Sequence, residues 1–171
     1  MCTRFVIALD DLLNDFSEML EAFGMGQYDK NDPVLRQFVY DIKNGCLTDR
    51  GRQIMVFTHV DANGLQFFDW ITRRGFTVLI CTDRDLRFSY RETEKWLKMK
   101  GISHSGLFAV DDPIEFCQKI GARYFLFGLP KDKHLQGSRF RLFSFSSNGL
   151  EGSDDFTDFG GVKQWTQKNG F

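Results

Sequence analysis

The sequence is short of the residue types that usually announce chemistry or a compartment. Its 3 histidines, His59, His104 and His134, stand far apart, and its 4 cysteines, Cys2, Cys46, Cys81 and Cys117, include no CxxC pair. Neither set has metal-ligand spacing, so no metal is expected from them. Scattered thiols fit a reduced cytoplasmic protein, with Cys81 and Cys117 read as core residues. No apolar stretch approaches the roughly 20 residues that span a bilayer, and the amino terminus lacks the short apolar block of a signal peptide. A soluble protein with no membrane partner is expected. Charge of one sign is also missing. With 22 Lys and Arg against 23 Asp and Glu, the net charge is -1, so any site for a polyanion must be a local patch. Internal repeats and a second domain are absent too. The 171 residues read as one domain, 1–171, large enough to bury about 70% of the surface its unfolded chain exposes.

What is abundant is phenylalanine, at 19 residues, which points to a thick aromatic core or an aromatic contact surface. The strongest single stretch is Arg4 to Phe16. Phe5, Val6, Ile7, Ala8 and Leu9 form the uninterrupted apolar run of a central parallel strand covered on both faces. Asp10 and Asp11 follow where the chain turns away, at the strand edge where ligands bind in open α/β sheets. An Asp here also suits a helix cap, for a helix using Leu12, Phe16, Met19, Leu20 and Phe23 and stopped by Gly24 and Gly26. Residues 27–52 contain Asp32-Pro33, a Lys43-Asn44-Gly45 turn and a polar Thr48 to Arg52 tract, and read as an inserted cap or flap.

Beyond Asp61 the pattern clears. A helix with Leu65, Phe68, Trp70 and Ile71 on its apolar face ends at Gly75, and Phe76 to Cys81 is a second buried strand ending at Thr82-Asp83-Arg84. A helix over about Ser89 to Met99, a strand at Leu107 to Val110, a Pro-started helix after Asp111-Asp112 and a strand at Arg123 to Phe127 follow. Lys131 to Gln136 reads as a polar loop, and Phe140 to Phe145 alternates as a half-buried strand. Asn148 to Asp158 reads as an acidic Gly/Ser-containing tail, and Val162 to Gln167 as a closing helical turn. Strands alternating with helices predict an α/β, three-layer, Rossmann-like, doubly wound and mostly parallel sheet.

These residues carry a family resemblance. Val6-Ile7-Ala8-Leu9-Asp10-Asp11-Leu12-Leu13 resembles the hhhDxDx(T/V)L opening of haloacid dehalogenase-like phosphohydrolases. Gly75-Phe76-Thr77-Val78 through Thr82-Asp83-Arg84, then Tyr90-Arg91-Glu92-Thr93-Glu94-Lys95-Trp96 and Gly101-Ile102, resemble GYxVxxxSGR and YRxTxKWxxxxGV of phage polynucleotide 3'-phosphatases. The likeness covers Phe5 to about Phe145. Carried onto these positions, the nucleophilic aspartate falls on Ala8, whose methyl group cannot attack phosphorus. Asp10 keeps the place of the general acid/base, and Thr82 that of the hydroxyl that holds a phosphoryl oxygen. Arg84 completes the remnant. The late acidic magnesium ligands fall on Phe127-Gly128, leaving only the Asp10 carbonyl for that ion. The lysine of such sites has Lys119 and Gln118 as candidates, and the role stays unassigned.

The resemblance therefore implies a catalytically inactive phosphohydrolase-fold protein with no cofactor. The competing reading is a magnesium-dependent phosphatase acting on a nucleotide or nucleic-acid 3'-phosphate, rescued by Asp11 or Asp15 or by a metal site at Asp111 and Asp112. A receiver-like domain, which also pairs acids after its first strand, fits less well because of the 27–52 insertion.

For a retained binding role, two patches are candidates. One is Lys131, Lys133, His134, Arg139 and Arg141, interleaved with Phe140, Phe143 and Phe145, where cations would meet DNA or RNA phosphates and a ring would stack. In a strand, however, alternating Phe usually faces the core. The other is the cap region, with Tyr28, Arg36, Tyr40, Arg50 and Arg52. The acidic tail, Glu151, Asp154, Asp155 and Asp158, would repel nucleic acid and favour a basic protein surface. The resemblance to phage enzymes implies a host protein as partner, in particular host RNA polymerase, with the chain acting as a transcription terminator.

Overall fold

The structure, a computed structural model, describes residues 3–10, 12, 31–43, 62–129 and 138–169. It is an α/β fold built on a six-stranded mixed sheet. The central strand β1 (Arg4–Ala8) lies parallel between β2 (Thr77–Thr82) and β4 (Tyr124–Gly128), and β3 (Gly106–Ala109) pairs parallel with the outer side of β2. Two antiparallel strands, β5 (Phe140–Ser146) and β6 (Gly149–Phe156), extend the sheet beyond β4, giving the order β3-β2-β1-β4-β5-β6. The run of apolar residues in β1 has the cause the sequence indicates, since Phe5, Val6 and Ile7 are wholly buried, as a strand covered on both faces requires.

The two faces of the sheet carry separate cores. On one, Phe5, Ile7, Val78, Ile80, Tyr124, Leu126 and Leu142 meet residues of three helices: Phe67, Phe68 and Ile71 of α2 (Ala62–Arg73), Trp96 and Leu97 of α3 (Leu86–Met99), and Phe159 and Val162 of α5 (Phe159–Asn169). Edge-to-face contacts run through it, with Phe5 and Phe67 at 5.7 Å and Phe5 and Phe76 at 5.9 Å. Such pairs add to what burial alone contributes. On the other face Val6, Leu79, Cys81, Phe125 and Phe145 pack with Cys117 of α4 (Pro113–Ile120). That helix starts as its sequence predicts: Pro113 stands in the first turn, and one Asp112 carboxylate oxygen accepts from the amides of Ile114 and Glu115. It stops at Gly121, whose φ of 62° is the left-handed conformation glycine adopts without strain.

The insertion gains detail, and two expectations change. The insertion at 27–52 contains a helix, α1 (Pro33–Lys43), with the Asp32 side chain accepting from Val34 and Leu35; the rest of that stretch lies outside the described residues, as do the expected helix through Leu20 and Phe23 and the loop Lys131 to Gln136. The acidic stretch is not a loose tail but the edge strand β6, paired along β5 from Phe156 opposite Phe140 to Gly149 opposite Ser146. It shows no apolar alternation because it is exposed along nearly its whole length; its partner's backbone makes it a strand. The closing turn is a full helix, α5, whose start is fixed by the Asp158 carboxylate accepting from the Gly161 amide at 2.8 Å. Two glycines in its first turn hide it from a propensity reading.

Phe159 sits 4.5 Å from the Phe140 ring and 5.7 Å from Phe67, 2% exposed, and so joins α5 to both the sheet and α2. Phe159→Ala should cost about 3–5 kcal/mol, the usual range for a deleted core aromatic. Urea unfolding of the variant measures this, and a loss under about 1 kcal/mol would mean that α5 is not part of the cooperative core.

Candidate functional site

Progress through the parallel strands runs from β1 to β2 to β3 and then jumps to β4 on the far side of β1. Helices and loops leave the sheet in opposite directions on either side of that jump, so a crevice opens where β1 and β4 end. A cavity of about 350 Å³ occupies this place. Ala8 of β1, Cys81 and Thr82 of β2, and Phe127 and Gly128 of β4 contribute to its lining. The expected site residues Ala8, Asp10, Thr82 and the Phe127-Gly128 pair are thereby brought together.

The chemistry left at the strand ends is fully engaged. The Leu9 amide donates to the Cys81 carbonyl at 2.8 Å, which carries the β1–β2 pairing past the strand and sets Asp10 beside Thr82. The Thr82 hydroxyl donates to Asp10 Oδ2 at 2.6 Å and accepts from the Arg84 amide at 3.2 Å. Arg84 donates from Nε and from one terminal nitrogen to Asp10 Oδ1, at 3.0 and 2.8 Å, and from the other to the Thr93 hydroxyl of α3 at 3.3 Å. The ion pair is buried, with side-chain exposures of 0% for Arg84 and 9% for Asp10. A carboxylate held by a guanidinium and a hydroxyl has little capacity left for proton transfer. The hydroxyl expected to steady a phosphoryl oxygen spends its proton on Asp10, and the guanidinium faces inward to the same carboxylate.

The donors for magnesium do not fit. This hard ion takes near-octahedral oxygen ligands, commonly carboxylates. Where the late acids would lie stand the ring of Phe127 and Gly128, and Ala8 offers a methyl group. Among the described residues no group of three or more His, Cys, Asp or Glu could hold a metal ion.

Of the basic patch, only Arg139, Phe140, Arg141, Phe143 and Phe145 lie among the described residues. Phe140 is 3% exposed and packs on Phe159, so its ring is not available to a partner. Arg141 is bound by Asp155 of β6 through two nitrogens, at 2.6 and 2.8 Å, and this hydrogen bonding holds the Asp155 carboxyl below the usual carboxylate range. Arg139 is exposed and lies over the Phe140 ring at 5.6 Å. Arg50, Arg52, Lys131, Lys133 and His134 lie outside the described residues, as do Asp11 and Asp15. What the sequence reading missed is the aromatic wall of the crevice. Phe125, Phe127 and Phe143 stack with planes 16–18° apart and centroids 5.5–6.2 Å apart. The signal was present: Phe125 and Phe127 share one side of β4 by their spacing of two, and Phe143 stands opposite Phe125 in the antiparallel register.

Burial raises the Cys81 thiol far above its ordinary value, helped by the negative charge of Asp10, and pushes Cys117 up to about 12. Neither is a nucleophile near neutral pH, since the thiolate is the reactive form. In a Cys2→Ser/Cys46→Ser variant, both remaining thiols should resist maleimide at pH 8 and react fully in urea; mass spectrometry counts the adducts, and rapid native labelling of either would contradict their burial.

Arg84→Met should destabilise the fold by about 3–5 kcal/mol, because it strands the Asp10 carboxylate without its partner. Adding Asp10→Asn should recover about 1–3 kcal/mol relative to the sum of the two single variants. Urea unfolding of all four proteins gives the coupling, and simple additivity would mean that the two groups do not depend on each other. In comparisons with known proteins, no family model matches this chain and no curated protein matches its sequence.

Proposed function

We propose that the chain is a non-catalytic protein of the haloacid dehalogenase-like fold, kept for binding a host protein, and that this protein is bacterial RNA polymerase, engaged to stop or inhibit transcription. The observation that carries the reading is the Ala8 methyl at the end of the central strand, in a crevice whose neighbouring carboxylate, Asp10, is already clamped by Thr82 and Arg84. Covalent phosphoryl transfer needs an in-line oxygen nucleophile, and its loss commonly costs several powers of ten in rate. The order of the four parallel strands, with β1 inside and a crevice at its carboxyl end, is the frame that such a family requires. A rigid fold continues to display surfaces after its chemistry is gone.

A protein partner is favoured over nucleic acid by charge. The edge strand β6 exposes Glu151, Asp154 and Asp155 on backbone that pairs with β5; Asp155 is paired with Arg141 and Glu151 lies 3.5 Å from Arg123, so Asp154 contributes most to the edge's net negative charge. An acidic edge repels phosphates and steers toward a basic surface.

Incubation with a 3'-phosphorylated oligonucleotide and magnesium should release phosphate at the blank rate, with no change in Asp10→Asn. Release abolished by that substitution would establish the magnesium-dependent phosphatase instead. Purified RNA polymerase should bind the intact chain in surface plasmon resonance, and Glu151→Lys/Asp154→Lys should weaken that binding by about tenfold or more. A polymerase that binds neither protein would refute the choice of partner.

A further inference from the structure

The crevice is an apolar slot with almost no free charge. Phe125, Phe127 and Phe143 have centroids 5.5–6.2 Å apart in all three pairs and planes 16–18° apart. The near-parallel rings thus form a triangle rather than a column, at the spacing where offset stacking is favourable. The helical members of the core on this face all come from α4, and Phe127 and Phe143 are left half-buried at the cavity. Ala8, Val110, Pro113 and Ile114 continue the apolar lining. No Lys, Arg or His of the described residues lines the cavity, Arg84 is committed to Asp10, and the amides of Ile114 and Glu115 are taken by Asp112. An anion finds no counter-charge here. A cation fares little better, since Asp10 is held by Thr82 and Arg84 and Asp83 has a partner of its own. What is left is the exposed carboxylate of Asp111, also in the lining, which has no hydrogen bond or ion pair among the described residues.

We infer that this cavity receives the indole ring of a tryptophan presented by the partner protein. A flat ring joins the three phenyl rings as a fourth member, and its burial removes a large apolar area from water. The volume of about 350 Å³ falls in the range of about 300–1,000 Å³ usual for pockets that enclose a ligand. The indole N–H is a donor with no acceptor capacity, which matches Asp111, an acceptor without a donor. Phenylalanine would leave that carboxylate unused, and a charged side chain would give up its hydration for rings and methyl groups. The chain's own three tryptophans do not supply the ring. Trp70, Trp96 and Trp165 belong to α2, α3 and α5, whose core lies on the opposite face of the sheet. The inference deepens the proposed protein-binding role and rests on it for the source of the tryptophan, while the chemistry of the cavity stands on its own geometry.

The test titrates N-acetyl-tryptophan amide into the intact, isotope-labelled chain and follows the amide signals of Val110 and Gly128. These signals should shift saturably. The counterpart methylated on the indole nitrogen, which keeps the ring and loses the N–H, should bind about tenfold more weakly, as one hydrogen bond to a charged acceptor is lost. Asp111→Ala, at an exposed position and checked for an unchanged fold by its other amide signals, should abolish the difference between these two probes. N-acetyl-leucine amide, with no ring to stack, should bind about threefold or more weakly than the tryptophan probe. Inorganic phosphate and N-acetyl-arginine amide should leave the signals in place. No response to the tryptophan probe, equal binding of its methylated or leucine counterpart, a difference between the two indoles that survives Asp111→Ala, or a saturable response to phosphate or arginine would overturn the inference. The polymerase experiment separates the two proposals. Polymerase binding that is unchanged in saturating tryptophan probe would overturn the tryptophan contact and leave the partner standing. Saturation by the probe without polymerase binding would support the cavity's chemistry and remove the partner.

Discussion

Asp10 and Arg84 form a buried ion pair at the point where β1 and β2 release the chain, and the shape of the crevice depends on it. A charge taken out of water is tolerated only when its partner and its remaining hydrogen bonds are in place. Here the partners come from three elements: the end of β1, Thr82 at the end of β2, and Thr93 on α3. The pair thereby ties the end of the central strand to α3, the helix that follows β2. It also engages the polar groups of Asp10, Thr82 and Arg84 at the strand ends. The same contacts that stabilise the strand ends leave the crevice without a free acid or a free guanidinium from this set.

The surrounding groups follow one electrostatic pattern. The crevice takes its apolar character from stacked phenylalanines, beside an Asp10 carboxylate committed to Thr82 and Arg84. Farther along the sheet, β6 carries exposed acids of which Asp155 pairs with Arg141 and Glu151 with Arg123. A chain with a net charge of -1 thus pairs several of its acids locally, Glu151 with Arg123 and Asp155 with Arg141 on the outer strands and Asp10 with Arg84 at the crevice. Local arrangement, not composition, sets the kind of partner that such a surface selects.

Much of the central fold was legible in the sequence because burial on both faces leaves an unmistakable run, as in Phe5 to Leu9 and Phe76 to Cys81. Asp112-Pro113 and Gly121 marked both ends of α4 for stereochemical reasons that need no tertiary context. The misreadings share another cause. β6 is a strand through its neighbour's hydrogen bonds and buries little of its own side-chain surface, so period-two alternation had nothing to record. In α5 the glycines at 160 and 161 conceal a helix that Asp158 starts and Phe159 anchors. At the site, the positions of Ala8, Asp10 and Thr82 followed from strand ends. The clamp of Arg84 on Asp10 did not, because a side chain 74 residues away along the chain enters only through the fold. For the same reason the stack of Phe125, Phe127 and Phe143 went unseen, whereas the burial of Phe140 agrees with the core-facing reading of the alternation.

The central proposal is that the end of β1 does not support phosphoryl transfer. Its most direct test is a crystal of the intact chain soaked with magnesium and a fluoride mimic of the transferring phosphoryl group. The account predicts that neither is seated beside the Ala8 methyl and that Asp10 stays bound to Arg84 and Thr82. A mimic lodged there with magnesium coordinated by Asp10, and Arg84 released from it, would contradict the account.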